Sequence, residues 1–97
     1  MARDIIYRPE AISDIKDIAE YTIERWGRNQ AQSYVAALRK DVESLTTFAL
    51  RYPIHEPSTL DLRRMNSGHH LIFYLVADRS VEIIRILHER MDVDGAV

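Results

Sequence analysis

The sequence predicts an α+β domain with the order β-α-α-β-β-β, in which a helical hairpin packs on one face of an antiparallel sheet. Apolar residues recur at helical spacing across residues 10–26 and again out to about residue 50, whereas short alternating segments follow residue 61. Helices and strands that are segregated along the chain in this way typically form a helical layer on a sheet. A chain of 97 residues without cysteine is expected to fold as one domain, residues 1–97, with no disulfide.

The beginning of the chain predicts one strand followed by one helix. Residues 3–8 favour a strand, which Pro9 ends because its fixed φ suits the first turn of a helix. The first helix covers residues 10–26, and acidic side chains crowd its first turns, where the helix dipole favours negative charge. Gly27 is expected to end this helix, since glycine readily adopts the conformation that terminates a helix.

A second helix is expected to begin with Asn29 as its N-cap, with Gln32 as the reciprocal capping residue, and to run to about residue 50. Because only a few residues join the two helices, they should fold back on each other as an antiparallel hairpin. A loop containing two prolines follows. The rest of the chain predicts three strands separated by tight turns, and therefore an antiparallel meander, at residues 62–66, 69–77 and 81–88.

Composition and missing motifs exclude several classes of protein. The net charge of −2 argues against a protein that coats nucleic acid by charge alone. No apolar stretch approaches the ~20 residues of a membrane-spanning helix, and the first residues lack a signal-peptide core, so a cytoplasmic location is expected. No phosphate loop or nucleophile elbow is present, and no cofactor is expected. His69 and His70 point to opposite faces of a strand, so we expect no metal site there.

An arginine in the middle of the last predicted strand is the most informative residue. Arg85 lies in a run of aliphatic residues, and strict alternation places it on the same face of the sheet as Ile83 and Leu87. Removing an unpaired ion from water costs several kcal/mol. We therefore expect Arg85 to have an acidic or backbone partner within the chain, or to contact a binding partner.

Other polar residues are expected to lie near Arg85 on the sheet. In the functional interpretation they form a cationic face that engages phosphate or carboxylate groups. In the structural interpretation the histidines satisfy backbone groups at strand ends and the arginines pair with acidic neighbours. Trp26, near the hairpin turn, is either a core residue or an interface anchor. The members of the candidate cationic face are Arg63, Arg64, His69, His70, Arg85 and His88.

Short motifs in a fixed order run along most of the chain. The residues that carry them are Tyr7, Arg8, Pro9, Ala11, Asp14, Ile15, Ile18, Tyr21, Trp26, Gly27, Gln30, Ala31, Tyr34, Leu38, Leu45, Tyr52, Pro53, Arg63, His70, Phe73, Tyr74 and residues 84–92. On these residues the chain resembles the ParE-type toxins of the RelE/ParE superfamily, which come from bacterial toxin–antitoxin modules. The resemblance extends over about residues 3–93.

The resemblance implies a binding-type inhibitor without enzymatic activity that binds DNA gyrase and traps its complex with cleaved DNA. It also implies a cognate, ParD-like antitoxin that neutralises the toxin in a hetero-oligomer. Neither a membrane nor a specific nucleic-acid sequence is expected as a partner. The residues that become candidates for contacting the target or the antitoxin are Trp26, Arg63, Arg64, Tyr74, Arg85 and His88.

Two other functions remain open for a chain of this type. One is a RelE-like, ribosome-dependent mRNA endoribonuclease with Arg63, Arg85 and His88 in the catalytic site. The other is a non-toxic member that only pairs with its antitoxin to repress the operon. The nuclease relatives tend to carry a catalytic tyrosine close to the C-terminus, whereas this chain has no tyrosine after Tyr74 and an acidic tail. This difference favours the binding-type toxin.

The predicted fold also leaves apolar surface for a partner to cover. One face of the sheet packs on the helices, and the other is expected to leave Ile6, Leu71 and Phe73 or their neighbours short of cover. An amphipathic peptide from an antitoxin would bury such side chains. We therefore expect the protein to spend little time free of a partner.

Overall fold

The computed structural model describes residues 2–56 and 60–91. Within these residues, four strands form one sheet in the order β1-β4-β3-β2. The predicted order of strands and helices is confirmed, with one additional short helix before the loop. The elements are β1 (Asp4–Tyr7), α1 (Pro9–Trp26), α2 (Arg28–Glu43), α3 (Leu45–Phe48), β2 (Arg63–Ser67), β3 (His70–Val76) and β4 (Ser80–His88).

The predicted meander is confirmed, because β2 pairs antiparallel with β3 and β3 pairs antiparallel with β4. Strand β1 differs, since it pairs with β4 in parallel. Parallel neighbours need a long crossover connection, and the helices together with β2 and β3 supply it here. The sheet is therefore antiparallel except at the edge formed by β1, whose placement the sequence analysis did not address.

The hairpin turn is tighter than the sequence predicts. Gly27 alone separates α1 from α2, at φ +93°, and its N–H donates to the Ile23 carbonyl. The prediction that Asn29 caps α2 is wrong, because α2 already begins at Arg28. Glycine permits this reversal within one residue, since its positive φ is unfavourable for other residues. The helix predicted to reach about residue 50 is also divided, at Ser44.

The main core lies between the helical hairpin and one face of the sheet. Each fully buried aliphatic side chain contributes on the order of 2 kcal/mol through the hydrophobic effect. Three aromatic side chains of the helices lie outside this core, because Trp26 is 69% exposed, Tyr21 57% and Phe48 45%. The buried members of the core are Ala11, Ile15, Ile18, Leu38, Val42, Leu45, Ala49, Met65, Ile72, Tyr74, Val81, Ile83 and Ile86.

A smaller apolar cluster covers part of the opposite face of the sheet. It consists of Leu62, Phe73 and Leu87, with partly buried neighbours. His55, which precedes β2 in the chain, packs its ring edge-on against Phe73 at 5.2 Å between ring centroids. The expectation that Phe73 is short of cover is wrong, since its exposure is 0%, whereas Ile6 is 50% exposed as expected.

A β-bulge in β4 separates the two clusters. Phe73 lies opposite Arg85 and the next residue, Tyr74, lies opposite Ile83, so that β4 carries one extra residue. A bulge of this kind breaks the alternation of side chains between faces. The prediction that Ile83 and Leu87 share a face is therefore wrong: Ile83 belongs to the main core and Leu87 to the smaller cluster.

We expect Gly68→Ala to lower the free energy of unfolding by about 2 kcal/mol or more. Gly68 has φ +58°, and an added Cβ would lie 2.6 Å from Tyr34 Oη. The left-handed conformation alone costs an alanine roughly 1 kcal/mol, and the Tyr34 ring must also shift. Urea unfolding of Gly68→Ala, Tyr34→Ala and the double variant separates the two effects. The double variant should lose less than the sum of the single losses, and strict additivity would contradict a steric clash.

Candidate functional site

Arg85 has a partner within the chain, in agreement with one of the two expected outcomes. Its Nε donates to Asp14 Oδ2 at 2.8 Å and its Nη2 donates to Asp14 Oδ1 at 3.0 Å. This bidentate geometry is the strongest form of ion pair between an arginine and a carboxylate. The hydrogen bonds from Asp14 raise the pKa of Arg85 above its ordinary value, so the guanidinium stays charged at any physiological pH.

Asp14 also replaces a missing strand at the edge of β4. Strand β1 pairs with β4 only as far as Ile83, and the last backbone bond of this edge runs from Arg8 N–H to the Ile83 carbonyl. Beyond that point, Ile86 N–H donates to Asp14 Oδ2 at 2.9 Å. A buried N–H without an acceptor would cost about 1–3 kcal/mol. One carboxylate of α1 therefore satisfies both a side chain and the backbone of β4.

Sequence reasoning named Asp14 as an acid of α1 and as a residue of the resemblance, but did not predict its contact with Arg85. Its side chain is 11% exposed, and that of Arg85 is 27% exposed. The signal that could have identified it is its position, because Asp14 lies on the buried stripe of α1 together with Ala11, Ile15 and Ile18. A carboxylate at such a position needs a partner, since burying an unpaired charge is costly.

Arg63 and Arg64 begin strand β2 and point to opposite faces of the sheet. Arg63 Nη1 donates to the Tyr52 carbonyl at 2.6 Å, which ties β2 to the loop before it. Arg64 lies opposite Phe73, and Phe73 lies opposite Arg85, so these residues form one row across three strands. The predicted cationic face is therefore divided, and only Arg64 and Arg85 of its arginines share a row.

The histidines of the predicted face meet at the other end of the same strands. His70 lies opposite His88, with the ring centroids 5.3 Å apart, and His69 stacks on His88 at 6.4 Å. Tyr34 of α2 reaches this cluster, and its hydroxyl lies 2.6 Å from His70 Nδ1. Burial, together with the neighbouring His88 and His69, lowers the pKa of His70 to about 4, so that this ring is neutral at pH 7.

The other two histidines are held by their own surroundings. His88 Nδ1 accepts a hydrogen bond from Arg90 N–H at 3.1 Å, as expected of a histidine that satisfies a strand end. His69 is largely exposed and lies 3.6 Å from the Glu89 carboxylate. A weak base such as neutral His70 is poorly suited to take a proton at pH 7.

In residues 2–56 and 60–91, no group of three His, Asp or Glu side chains is arranged to hold a metal ion.

An apolar groove runs along the outside of the helical hairpin, where sequence reasoning did not identify a site. Its volume is about 420 Å³, and Arg28 and Arg39 contribute to its wall. Groove residues such as Ala19 and Ala36 are small, so the two helices leave a channel between their side chains. The sequence shows the spacing of these alanines. It does not show whether another element of the fold covers them. The lining consists of Ala19, Ile23, Arg28, Ala31, Gln32, Val35, Ala36 and Arg39.

Two other candidates differ sharply in accessibility. Trp26 lies at the end of α1 with 69% of its surface exposed, which favours the interface-anchor interpretation. Tyr74 is 0% exposed, and its hydroxyl donates to the Ala49 carbonyl at 2.9 Å. Tyr74 therefore presents no surface to a partner in this conformation.

None of the helices in the described part of the chain combines the length and apolarity of a membrane span.

Comparisons with known proteins agree with the resemblance seen in the sequence. The family described as "ParE toxin of type II toxin-antitoxin system, parDE" matches residues 5–93. The Toxin ParE1 of Caulobacter vibrioides is 38% identical over 82 residues, which cover 84% of this chain and 84% of that protein. The Toxin ParE of Escherichia coli is 35% identical over 91 residues, which cover 91% of this chain and 86% of that protein.

The fold also has a counterpart among solved structures. A chain from the chromosomal ParDE system of P. aeruginosa superposes with a TM-score of 0.79 at 16% identity, covering 90% of this chain and 96% of the other. At this identity the likeness concerns the fold alone. The sheet, the helical hairpin and their connections are thus an established arrangement.

We expect Asp14→Ala to lower the free energy of unfolding by about 3 kcal/mol, because it leaves Arg85 and Ile86 N–H without this carboxylate. Asp14→Ala combined with Arg85→Met should recover part of the loss. Glu82→Gln is the matched control, since it breaks the exposed Arg8–Glu82 pair at 3.3 Å and should change stability by less than about 1 kcal/mol. Equal losses for Asp14→Ala and Glu82→Gln in urea unfolding would show that the buried carboxylate is unimportant.

Proposed function

Because the chain belongs to the ParE toxin family of type II toxin–antitoxin systems, we propose that it inhibits DNA gyrase by binding and that a ParD-like antitoxin neutralises it. The family match over residues 5–93 is the observation that carries this proposal. In this function the toxin acts in the cytoplasm and stabilises the complex between gyrase and cleaved DNA. It forms no covalent bond and needs no cofactor, so its surface rather than a reactive side chain determines its activity.

The contacts of the candidate catalytic residues support binding rather than RNA cleavage. RNA cleavage requires groups that take and give protons, together with cations that stay available to the phosphate. Here Arg63 donates to the Tyr52 carbonyl and Arg85 donates to Asp14. His88 Nδ1 already accepts a hydrogen bond from Arg90 N–H. Each of the three residues therefore has a structural contact that a nuclease would have to break or share.

The groove of the hairpin is the surface that we propose for the antitoxin. It is almost entirely apolar between its walls, and Arg28 and Arg39 flank it. An amphipathic helix binds such a groove through side chains on one face. The two arginines favour a segment with aliphatic residues toward the groove and acidic residues along its edges. Trp26, exposed at the end of α1 and three residues after the groove residue Ile23, is a suitable anchor for the same partner.

A supercoiling assay with the purified full-length chain tests the proposed target. We expect the chain to inhibit gyrase and to increase the amount of cleaved DNA, and the protein encoded by the adjacent gene to reverse both effects. His88→Ala should leave the inhibition of gyrase largely intact, because binding requires no acid–base group. Discrete cuts in ribosome-bound mRNA that disappear in His88→Ala would instead establish the nuclease function. Antitoxin binding with neither effect would identify a non-toxic family member.

We expect Ala36→Glu to weaken binding of the antitoxin by at least about tenfold, because a carboxylate in the apolar groove must be desolvated and repels acidic flanks. Ala36 is exposed in the free chain, so the variant should fold. Ala37→Glu is the matched control, since Ala37 is also exposed on α2 but does not line the groove. Calorimetric titration with the adjacent gene product measures both affinities. Equal affinities for the two variants would place the antitoxin elsewhere.

A further inference from the structure

The helical hairpin carries opposite charges on the outward sides of its two helices, with the apolar groove between them. On α1, the exposed side chains of Ile12, Ile23 and Trp26 recur at helical spacing and extend the apolar surface of the groove along the helix. A continuous apolar stripe of this length usually marks a binding surface. We call the outward sides of α1 and α2, together with the groove, the hairpin face.

The charges of the hairpin face make α1 acidic and α2 basic. On the outward side of α1, one base against three acids gives a net charge of −2; these exposed residues are Lys16, Asp17, Glu20 and Glu24. On the outward side of α2, three bases against one acid give +2; these exposed residues are Arg28, Arg39, Lys40 and Glu43. Arg25 points elsewhere, with its guanidinium 5.6 Å from the centre of the Tyr21 ring.

A two-fold axis along the groove makes this surface complementary to itself. Rotation about the axis places α1 of one copy on α2 of the other, so that an acidic side meets a basic side twice. The two grooves then face each other, and both Trp26 rings lie at the same end of the interface. A two-fold axis perpendicular to the helices would instead place α1 on α1, with acids opposite acids, which is unfavourable.

From this arrangement we propose that the hairpin face binds the same face of a second copy of the chain, so that the free protein forms a two-fold symmetric dimer. The face is about 27 Å long, because α1 has 18 residues, and about 20 Å wide across two helices. The dimer therefore buries roughly 1,100 Å² in total, which is at the low end for specific interfaces and suits a weak, reversible association.

Reversibility has a consequence for the antitoxin, which we propose to bind the same groove. The second copy covers the groove and Trp26 while no antitoxin is bound, and an antitoxin helix displaces it. This competition rests on the proposed function, whereas the self-association of the free chain does not depend on the target or on the antitoxin.

Sedimentation equilibrium of the purified full-length chain, over a wide range of protein concentrations, measures the self-association directly. We expect a monomer–dimer equilibrium whose dissociation constant rises at least about threefold between about 0.05 M and 0.5 M salt, because salt screens the charges. A chain that stays monomeric at every concentration would overturn the proposal and leave the hairpin face to the antitoxin alone.

Reversing one charge on each helix tests the symmetry. Residues 24 and 28 both lie next to the turn, so Glu24 of one copy meets Arg28 of the other. Glu24→Arg or Arg28→Glu alone brings like charges together twice and should weaken self-association by at least about tenfold. An equimolar mixture of the two variants should recover a dimer of roughly the parental stability, because both contacts of the mixed dimer again join opposite charges.

Arg79→Glu is the matched control, since it changes the net charge as Arg28→Glu does but lies exposed in the turn between β3 and β4. This variant should associate as strongly as the parent. Circular dichroism should show parental helix content for all three variants, because the substituted residues are exposed. A mixture of folded Glu24→Arg and Arg28→Glu that remains monomeric would contradict the two-fold arrangement, as would parental association of either variant alone.

Discussion

The carboxylate of Asp14 is the contact on which the arrangement of the helical hairpin over the sheet depends. Strand β1 is too short to cover the edge of β4, and Asp14 completes that edge by accepting from Ile86 N–H. The same group neutralises Arg85. Helix α1 must therefore pack at one distance and rotation, since a shift would leave an N–H and a guanidinium without this acceptor. Apolar side chains alone would tolerate other positions, because the hydrophobic effect has no direction.

Much of the fold could be predicted because it follows from the spacing of apolar residues. Helical and alternating patterns identified both long helices and the meander. The pairing of β1 with β4 could not be predicted in this way, because it brings together residues such as Ile6 and Glu82 that are far apart in the chain. The bulge near Ile84 was also hidden, since no residue type marks it and alternation is assumed when a strand is predicted. Asn29 was misassigned because its side chain suits an N-cap, although Gly27 already provides the reversal.

The places of the candidate residues on the strands could be predicted, but their contacts could not. Arg85 was recognised as a charge that needs a partner, and the partner is an acid on the buried stripe of α1. Identifying Asp14 required knowing which face of the sheet α1 covers and where β1 ends. The histidines were placed near one another correctly, but Tyr34 reaches them from a helix that is distant in sequence. A sequence pattern describes one element at a time, whereas these contacts join two elements.

The contacts within this chain distinguish polar groups that are engaged from apolar surface that is exposed. A fold does not by itself determine whether a protein acts by binding or by chemistry on a substrate. In this protein Asp14 binds Arg85 and Tyr34 contacts His70, whereas exposed apolar side chains, including Trp26, lie on the hairpin. A function carried by that surface needs complementary shape and charge in the partner rather than a reactive side chain.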